Sequence, residues 1–320
     1  AAGPIIGGGF ASTIGWRWVF LINVPIAAFG VIWGSRQLKE STDPELAGKS
    51  LRQLDWLGVL LIAVGIAGIS LGIDDVSTDG IVPATYVPAI LGVAAVIALV
   101  MWERRAAWPL TPPALMKNKN FTALVVASTI ANMGICVMIF VSTLYLQQVR
   151  DYSGLVAGLM FIPAAIGLSI GGPISGRLSS KVPGQRVMTV AMLVGALSLV
   201  LLGISNNIVV FLIVMGFSSF SLGMGYQFGN IAVQSVVPEA QSGAAAGVLL
   251  TLMVSLGGVA VVIASATIEA VGGGAGVTQS AISITLFSWA ALVGILGVIF
   301  GLTQWKHARV PDEVVGSAAV

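Results

Sequence analysis

Residue types that carry out covalent or metal chemistry are scarce in this 320-residue chain. Cys136 is the only cysteine and lies inside an apolar run, and His307 is the only histidine and lies near the C-terminal end. A Ser-His-Asp triad needs a histidine beside its nucleophile, and zinc sites need several cysteine or histidine ligands. The sequence therefore predicts no metal site and no cofactor, and it disfavours an enzyme.

Carboxylates are equally scarce in the middle of the apolar runs. A charge at the centre of a bilayer costs about 2.5–3.5 kcal/mol on insertion scales, so a carboxylate there would point to ion or proton transport. Glu269 and Asp55 instead lie at the ends of two apolar runs. We expect Asp55 to cap a helix N-terminus. For Glu269 we expect a solvated carboxylate at a helix end, with proton handling as the alternative.

Uncharged polar residues form two stripes at helical spacing. The first comprises Thr129, Asn132, Cys136, Thr143 and Gln147, with Phe140 beside it, and the second comprises Ser219, Gly223, Tyr226, Asn230 and Gln234. In lipid such stripes face either protein or an aqueous cavity, so interhelical hydrogen bonding and cavity lining both stay open. The candidate cavity residues are Asn132, Cys136, Phe140, Thr143, Gln147, Tyr226, Asn230 and Gln234.

The composition indicates the elements that must position these stripes. Hydrophobic residues make up 57% of the chain and charged residues only 9%, whereas soluble domains carry about 25% charged residues. A helix that crosses the roughly 30 Å hydrocarbon core needs about 20 mostly apolar residues. Nine segments meet this demand: Trp16–Gly34, Trp56–Ile73, Val82–Trp102, Phe121–Leu146, Leu155–Ile174, Val187–Ile204, Ile208–Val233, Ala244–Ile268 and Ala281–Gln304. We therefore predict an all-α polytopic membrane protein.

The start of the chain is an apolar, glycine-rich segment with no basic region ahead of it. This pattern is not that of a signal peptide. We expect Ala1–Ile14 to be the outer part of a tenth span in a sequence truncated at the N-terminus.

Lysine and arginine positions test this assignment of spans independently, because cytoplasmic connections carry an excess of both. If alternate connections face the cytoplasm, they hold thirteen of the 15 basic residues, and only Arg17 and Arg150 lie elsewhere. The sequence therefore predicts a multi-pass membrane protein with a cytoplasmic C-terminus.

Two motifs near the start resemble a known family. Gly3, Pro4, Gly7 and Gly8 match the GPxxGG ending of the antiporter motif in major facilitator drug exporters. Trp16, Arg17, Trp18, Asn23 and Pro25 follow in a segment that resembles the WRWxFxINxP opening of the sixth span in the 14-span drug/proton antiporter branch. For Arg17 and Asn23 we favour helix anchoring over substrate contact, and the glycines of the first motif also permit tight packing.

The resemblance implies a major facilitator helical bundle that starts in the fifth span. Residues 1–34 would be a remnant of the N-terminal bundle, and residues 35–120 a central linker with two extra spans. Residues 121–305 would form the C-terminal six-helix bundle, followed by a cytoplasmic tail over 306–320. In that family the principal gating loop and the proton-coupling residues belong to the first four spans, which by this resemblance we expect to precede the sequence given.

One stretch departs from the family pattern. The residues Gly176, Arg177, Ser180, Lys181, Gly184 and Arg186 resemble the family's GxLxDRxG gating loop, but Ser180 stands where the aspartate is expected and Pro183 is inserted. The departure puts a charge-based latch between the two bundles in doubt on this side of the membrane.

The function that this resemblance implies is export of lipophilic or cationic compounds, coupled to protons. The expected partners are the lipid bilayer, a small lipophilic substrate and protons, with no nucleic acid, and we expect a monomer. Two alternatives stay open: export of an endogenous metabolite such as a siderophore, lipid precursor or peptide, and a truncated membrane bundle without transport activity.

Overall fold

The structure is a computed structural model that describes residues 3–15, 17–37, 55–79, 86–105, 115, 117–179, 181–238, 241–272 and 276–304. Every regular element in these ranges is helical. The α-helices are α1 (Gly3–Thr13), α2 (Arg17–Leu21), α3 (Asn23–Gln37), α4 (Trp56–Asp79), α5 (Tyr86–Glu103), α6 (Lys119–Leu144), α7 (Gly154–Met160), α8 (Ile162–Ser179), α9 (Gly184–Ile204), α10 (Ile208–Ser235), α11 (Ser242–Gly272) and α12 (Gln279–Gln304). A π-helical turn, Tyr145–Val149, continues α6.

Nine stretches of the described residues are long and apolar enough to cross a membrane, and they coincide with the nine predicted spans. The prediction of an all-α polytopic protein is confirmed. The observed helices extend beyond several predicted ends; α11 reaches from Ser242 to Gly272, because hydrogen bonding continues past the apolar core into polar residues.

Two spans are interrupted, each close to a proline. A helical proline clashes with the carbonyl four residues earlier and donates no hydrogen bond. The span over Arg17–Gln37 breaks at Ile22, between α2 and α3, with Pro25 in the first turn of α3. The span after Asp151 breaks at Phe161, with Pro163 in the first turn of α8. Pro173, by contrast, lies inside α8 without ending it.

The outer surface of the bundle is apolar. Leu197, Ile213 and Leu302 expose 59%, 65% and 76% of their surface. Exposed apolar patches of this extent are rare on soluble monomers. The outside of the molecule therefore matches hydrocarbon rather than water, and the chain is a multi-pass membrane protein.

Helix α10 lies at the centre of the packing and contacts α6, α8 and α9, while α12 contacts α6 and α9. Small residues bring these backbones close together. A Cβ added to Gly229 would clash with the side chain of Ser128 on α6, and one added to Gly167 on α8 would clash with the carbonyl of Gly216 on α10. Such close packing stabilises helix association in lipid, where no hydrophobic effect drives the helices together.

The ends of the helices alternate between two sides of the bundle. The Asn118 side chain caps α6 and its Nδ2 also donates to the Val236 carbonyl at 3.0 Å, so α6 begins where α10 ends. Gly184, the first residue of α9, lies against Phe228 near the end of α10. Arg177, Lys181 and Lys119 also lie on this side, which we call the basic end.

The hairpin of α4 and α5 is held by backbone packing and by one polar contact. A Cβ on Gly68 would lie 2.6 Å from the Pro88 carbonyl oxygen. Asp55 Oδ1 accepts hydrogen bonds from the Gly58 backbone N–H and from Trp102 Nε1, both at 2.8 Å. The predicted N-cap role of Asp55 is confirmed. Helix α4 also packs against α11.

Candidate functional site

The polar stripe of α10 lies on the side of this helix that faces away from α9. Ser221 Oγ donates to the Ala191 carbonyl of α9 at 2.9 Å, and Phe228 lies against Gly184 of α9. Successive residues are about 100° apart around a helix. Tyr226 and Asn230, each two residues from Phe228, therefore point about 160–200° away from it.

This stripe becomes more exposed toward the basic end. Ser219 and Gly223 are buried, Tyr226 and Asn230 are half-buried, and Gln234 is exposed. Asn230 Nδ2 donates to the Tyr226 carbonyl of its own helix at 2.9 Å. Since this local bond does not involve Oδ1, the amide oxygen of Asn230 can still accept from a ligand.

The polar stripe of α6 is used differently at its centre. Asn132 Nδ2 donates to the Met253 carbonyl of α11 at 2.8 Å. A Cβ on Gly257 of α11 would lie 2.9 Å from Asn132 Nδ2 and 3.0 Å from Cys136 Sγ. The two side chains therefore cover the backbone of α11, and here the interhelical hydrogen bond, one of the two options left open by the sequence, is present.

The remaining residues of the α6 stripe lie toward the opposite end. Phe140 is half-buried and packs against the apolar core, and Thr143 Oγ1 donates to the Ile139 carbonyl at 2.8 Å. Gln147 is exposed within the π-helical turn. Thr129, nearer the basic end, is buried and donates to the Val125 carbonyl.

The π-helical turn is a feature that the sequence did not reveal. Tyr145 is 1% exposed and its ring lies 4.4 Å from that of Phe211, while the Arg150 guanidinium lies 5.9 Å from the centre of the Tyr145 ring. Such turns often occur at functional sites in helices. The sequence signal for this cluster is the pair Tyr145 and Arg150, five positions apart at the end of an apolar run.

A second residue missed from the sequence is Gln227. Its side chain lies over Gly172 of α8, with Nε2 3.7 Å from the position of a Cβ on that glycine. Gln227 lies on the face that α10 presents to α8. The sequence signal for Gln227 was that it directly follows Tyr226 of the polar stripe.

The glycine motif of α1 makes one close helix contact. A Cβ on Gly8 would clash with the carbonyl of Gly154 at the start of α7, whereas one on Gly7 would meet no atom within 4 Å. Gly3 and Pro4 form the first turn of α1. Of Gly7 and Gly8, Gly8 is thus the one that permits the approach of α1 to α7.

The second motif lies on an open helix pair. None of the side chains of α2 and α3 is buried, including Arg17, Trp18 and Pro25. Asn23 Nδ2 donates to the Val19 carbonyl at 3.2 Å and so bridges the break at Ile22. Trp16 lies outside the described residues.

The connection between α8 and α9 spans only residues 180–183. Lys181 lies within it, Gly176, Arg177 and Arg186 flank it, and all four are exposed. Gly184 opens α9, where a Cβ would lie 3.0 Å from the Phe228 ring. Ser180 lies outside the described residues, so the structure does not describe the position where the aspartate is expected.

Among the described residues, histidine, cysteine, aspartate and glutamate form no group of three that could hold a metal. The two polar stripes carry amides, hydroxyls, one thiol and the rings of Phe140 and Tyr226. Such groups orient a bound molecule by hydrogen bonds and ring contacts.

A family model described as Major Facilitator Superfamily matches residues 1–262. The chain belongs to the major facilitator superfamily. The resemblance drawn from the GPxxGG and WRW motifs is confirmed at the level of this family.

Named relatives of this facilitator chain are transporters. "Drug efflux pump JefA" of Mycobacterium tuberculosis is 30% identical over 263 residues, which cover 81% of this chain and 51% of that protein. "Multidrug efflux pump LfrA" of Mycolicibacterium smegmatis is 28% identical over 251 residues, 78% of this chain and 49% of that protein. An "Acurin A biosynthesis cluster MFS-type transporter" of Aspergillus aculeatus is 29% identical over 184 residues, 56% and 33% of the two chains.

The facilitator chain thus spans about half the length of the two efflux pumps. Its described helices present a polar stripe on α10, a hydrogen-bonded contact between α6 and α11, and a glycine contact between α1 and α7.

Gly8→Ala should weaken the contact between α1 and α7, because the new methyl group meets the Gly154 backbone, and overpacking costs about 1–3 kcal/mol. Gly7→Ala is the matched control, since that site is open. The measurement is the yield of a short thiol-to-thiol crosslink between Gly9→Cys and Leu155→Cys in a Cys136→Ser chain. Equal yields for the two alanine variants would contradict the assigned contact.

Gly257→Ala should lower the free energy of unfolding of the detergent-purified chain by about 1–3 kcal/mol, because the added methyl group displaces Asn132 and Cys136. The loss is measured as a lower unfolding temperature. Asn132→Ala should remove about 0.6–1.7 kcal/mol by losing the interhelical bond. Gly258→Ala, at a position with no atom within 4 Å, should leave the unfolding temperature unchanged. If Gly258→Ala were as damaging as Gly257→Ala, the described register of α6 and α11 would be wrong.

Proposed function

We propose that this chain forms part of an exporter of lipophilic or cationic compounds, driven by exchange with protons. The observation that carries the proposal is the stripe of Tyr226, Asn230 and Gln234 on the face of α10 opposite α9. In a helix otherwise lined by apolar and small residues, half-buried polar and aromatic groups suit a ligand that is mostly apolar with a polar or charged part.

The chemistry of the stripe favours a cation. The Tyr226 ring offers its electron-rich face, and aromatic faces attract cations by about 0.5–2 kcal/mol. The Asn230 amide oxygen and the Gln234 side chain supply acceptors nearer the basic end. Weak binding of a lipophilic cation needs no carboxylate. Weak binding also favours release of the compound on the other side of the membrane.

Movement would come from two bundles that rock about the site. We propose the division predicted above: residues 1–34 from one bundle, 35–120 as the central linker, 121–305 as the other bundle, and 306–320 as the tail. In this scheme the Gly8–Gly154 contact belongs to the surface between the bundles, where close backbone approach lets them meet without long side chains between them.

The membrane orientation follows from the basic end. We propose that this end faces the cytoplasm of a bacterium, in the inner membrane, because cytoplasmic connections collect lysine and arginine. The C-terminus would then be cytoplasmic as well, and the exporter would work as a monomer.

Proton exchange is proposed from the family resemblance, and collapse of the proton gradient by an uncoupler should stop export.

Export of an endogenous metabolite is the second candidate. It is favoured by the similarity to the transporter from the acurin A biosynthesis cluster. Accumulation assays with fluorescent dyes and quaternary ammonium compounds separate the candidates. A drug exporter lowers the accumulation of both in cells that express the intact gene, whereas a dedicated metabolite exporter changes only the secreted metabolites.

In cells that express the intact gene, Tyr226→Ala should reduce export of quaternary ammonium compounds by about fivefold, the equivalent of about 1 kcal/mol of ring contact. Tyr226→Phe keeps the ring and should retain most of the activity. Asn230→Ala should change the relative resistance to different compounds.

Asn206→Ala is the control, because Asn206 is an exposed residue of the connection between α9 and α10. Membrane levels of all variants are compared by immunoblot. Resistance profiles that stay the same for Tyr226→Ala and Asn230→Ala would reject the role of the stripe.

A further inference from the structure

A groove on the outer surface of the bundle lies between α8, α9 and α10. Its volume is about 360 Å³, near the lower end of the roughly 300–1,000 Å³ found for ligand pockets. Val190 and Phe217 line it and are 52% and 49% exposed, so the groove opens to the surroundings of the bundle. It therefore lies in the part of the surface that lipid covers.

The groove is separate from the polar stripe of α10. Met224 lines the groove, and Tyr226, two residues later, points about 200° away from it around the helix. A molecule in the groove and a molecule against the stripe would thus contact opposite sides of α10.

The interior of the groove accepts only hydrocarbon. Apart from Arg186, the lining residues are apolar except for Ser221, whose hydroxyl group already donates to the Ala191 carbonyl at 2.9 Å. A polar group placed inside would lose its hydrogen bonds to water and gain few in return. The part of a ligand that enters must be a chain of apolar atoms.

Two basic residues lie at the mouth of the groove. Arg186 lines the groove at the first turn of α9, and the exposed Lys181 precedes the lining residue Val182. The sequence from residue 152 to residue 238 contains no aspartate or glutamate. Helices α7 to α10 therefore contribute only positive charge at this end, which favours a ligand with an anionic head.

The depth of the groove matches one leaflet of a bilayer. Arg186 and Val194 both line it, and eight residues of helix rise about 12 Å. Half of the roughly 30 Å hydrocarbon core is about 15 Å. A fatty acyl chain whose head group stays near Arg186 would fill the groove along most of its leaflet.

We propose that this groove is a binding site for an anionic phospholipid, with an acyl chain along Val190 and Phe217 and the head-group phosphate bound by Arg186. The guanidinium group binds a phosphate through two parallel N–H donors, which gives geometric selectivity as well as charge attraction. The inference requires membrane insertion of the bundle but does not depend on what the protein exports.

The test uses the purified 320-residue chain and native mass spectrometry. Phosphatidylglycerol and phosphatidylcholine with identical acyl chains are added in turn, and the bound fraction of each is measured. The proposal predicts preferential binding of phosphatidylglycerol. Equal binding of the two lipids would overturn it.

Arg186→Gln should lower phosphatidylglycerol binding about tenfold, the loss expected for a charge-assisted hydrogen bond, and Arg186→Lys should lower it less. Arg105→Gln removes the same charge from the exposed end of α5 and should leave binding unchanged. If Arg105→Gln were as harmful as Arg186→Gln, the lipid would be held by overall charge, and the site would be disproved.

Val190→Trp fills the groove and leaves every charge in place. It should reduce phosphatidylglycerol binding at least about fivefold, in line with the loss of buried acyl methylene groups. Val190→Phe serves if the larger variant fails to elute as a folded, helical protein. Unchanged binding in a folded variant would show that the acyl chain lies elsewhere.

Discussion

A bilayer offers the helices of this chain no water for their polar groups and no hydrophobic gain from contact with one another. Several buried hydroxyl groups of the described bundle conform to that constraint, whereas those of Ser142, Ser175 and Ser218 have no hydrogen-bond partner among the described residues. Ser128, Thr129, Thr189 and Thr285 are buried, and each hydroxyl donates to the carbonyl four residues earlier in its own helix. The helices approach one another where glycine removes the side chain, so van der Waals contact between backbones holds the bundle together.

The same constraint gives α10 its distinct faces. Gly225 and Gly229 bring one face against α6, and Gly216 and Gly223 bring another against α8. The face between these two contacts carries Tyr226 and Asn230, which are half-buried. The face between α8 and α9 carries apolar side chains and forms the outer groove. One central helix thus presents a polar stripe and a lipid-facing surface on separate sides.

The positions of the spans follow from the sequence because the required length of apolar residues is set by membrane thickness alone. The Asp55 cap follows as well, because a cap is a local interaction. The positions of the helix breaks at Ile22 and Phe161, close to Pro25 and Pro163, were not predicted. A proline weakens several turns, and the packing around it decides where the chain turns.

Contacts between helices were harder to predict. Asn132 lies in a polar stripe, but its donation to Met253 depends on the register between α6 and α11, which no local pattern records. Gly7 and Gly8 are equivalent in the motif, yet only Gly8 meets Gly154, because the rotation of α1 selects one of them. The contact between Asp55 and Trp102 joins residues that are 47 positions apart. The sequence identified the residue types and the structure identifies their partners.

The proposal that the basic end faces the cytoplasm is tested most directly by cysteine accessibility in intact cells. Single cysteines replace Lys117, Lys181 and Asn206 in a Cys136→Ser chain, and a membrane-impermeant thiol reagent is applied before and after permeabilisation. The account predicts that the cysteines at 117 and 181 react only after permeabilisation, whereas the one at 206 reacts in intact cells. Labelling of 117 and 181 from opposite sides of the membrane would contradict it.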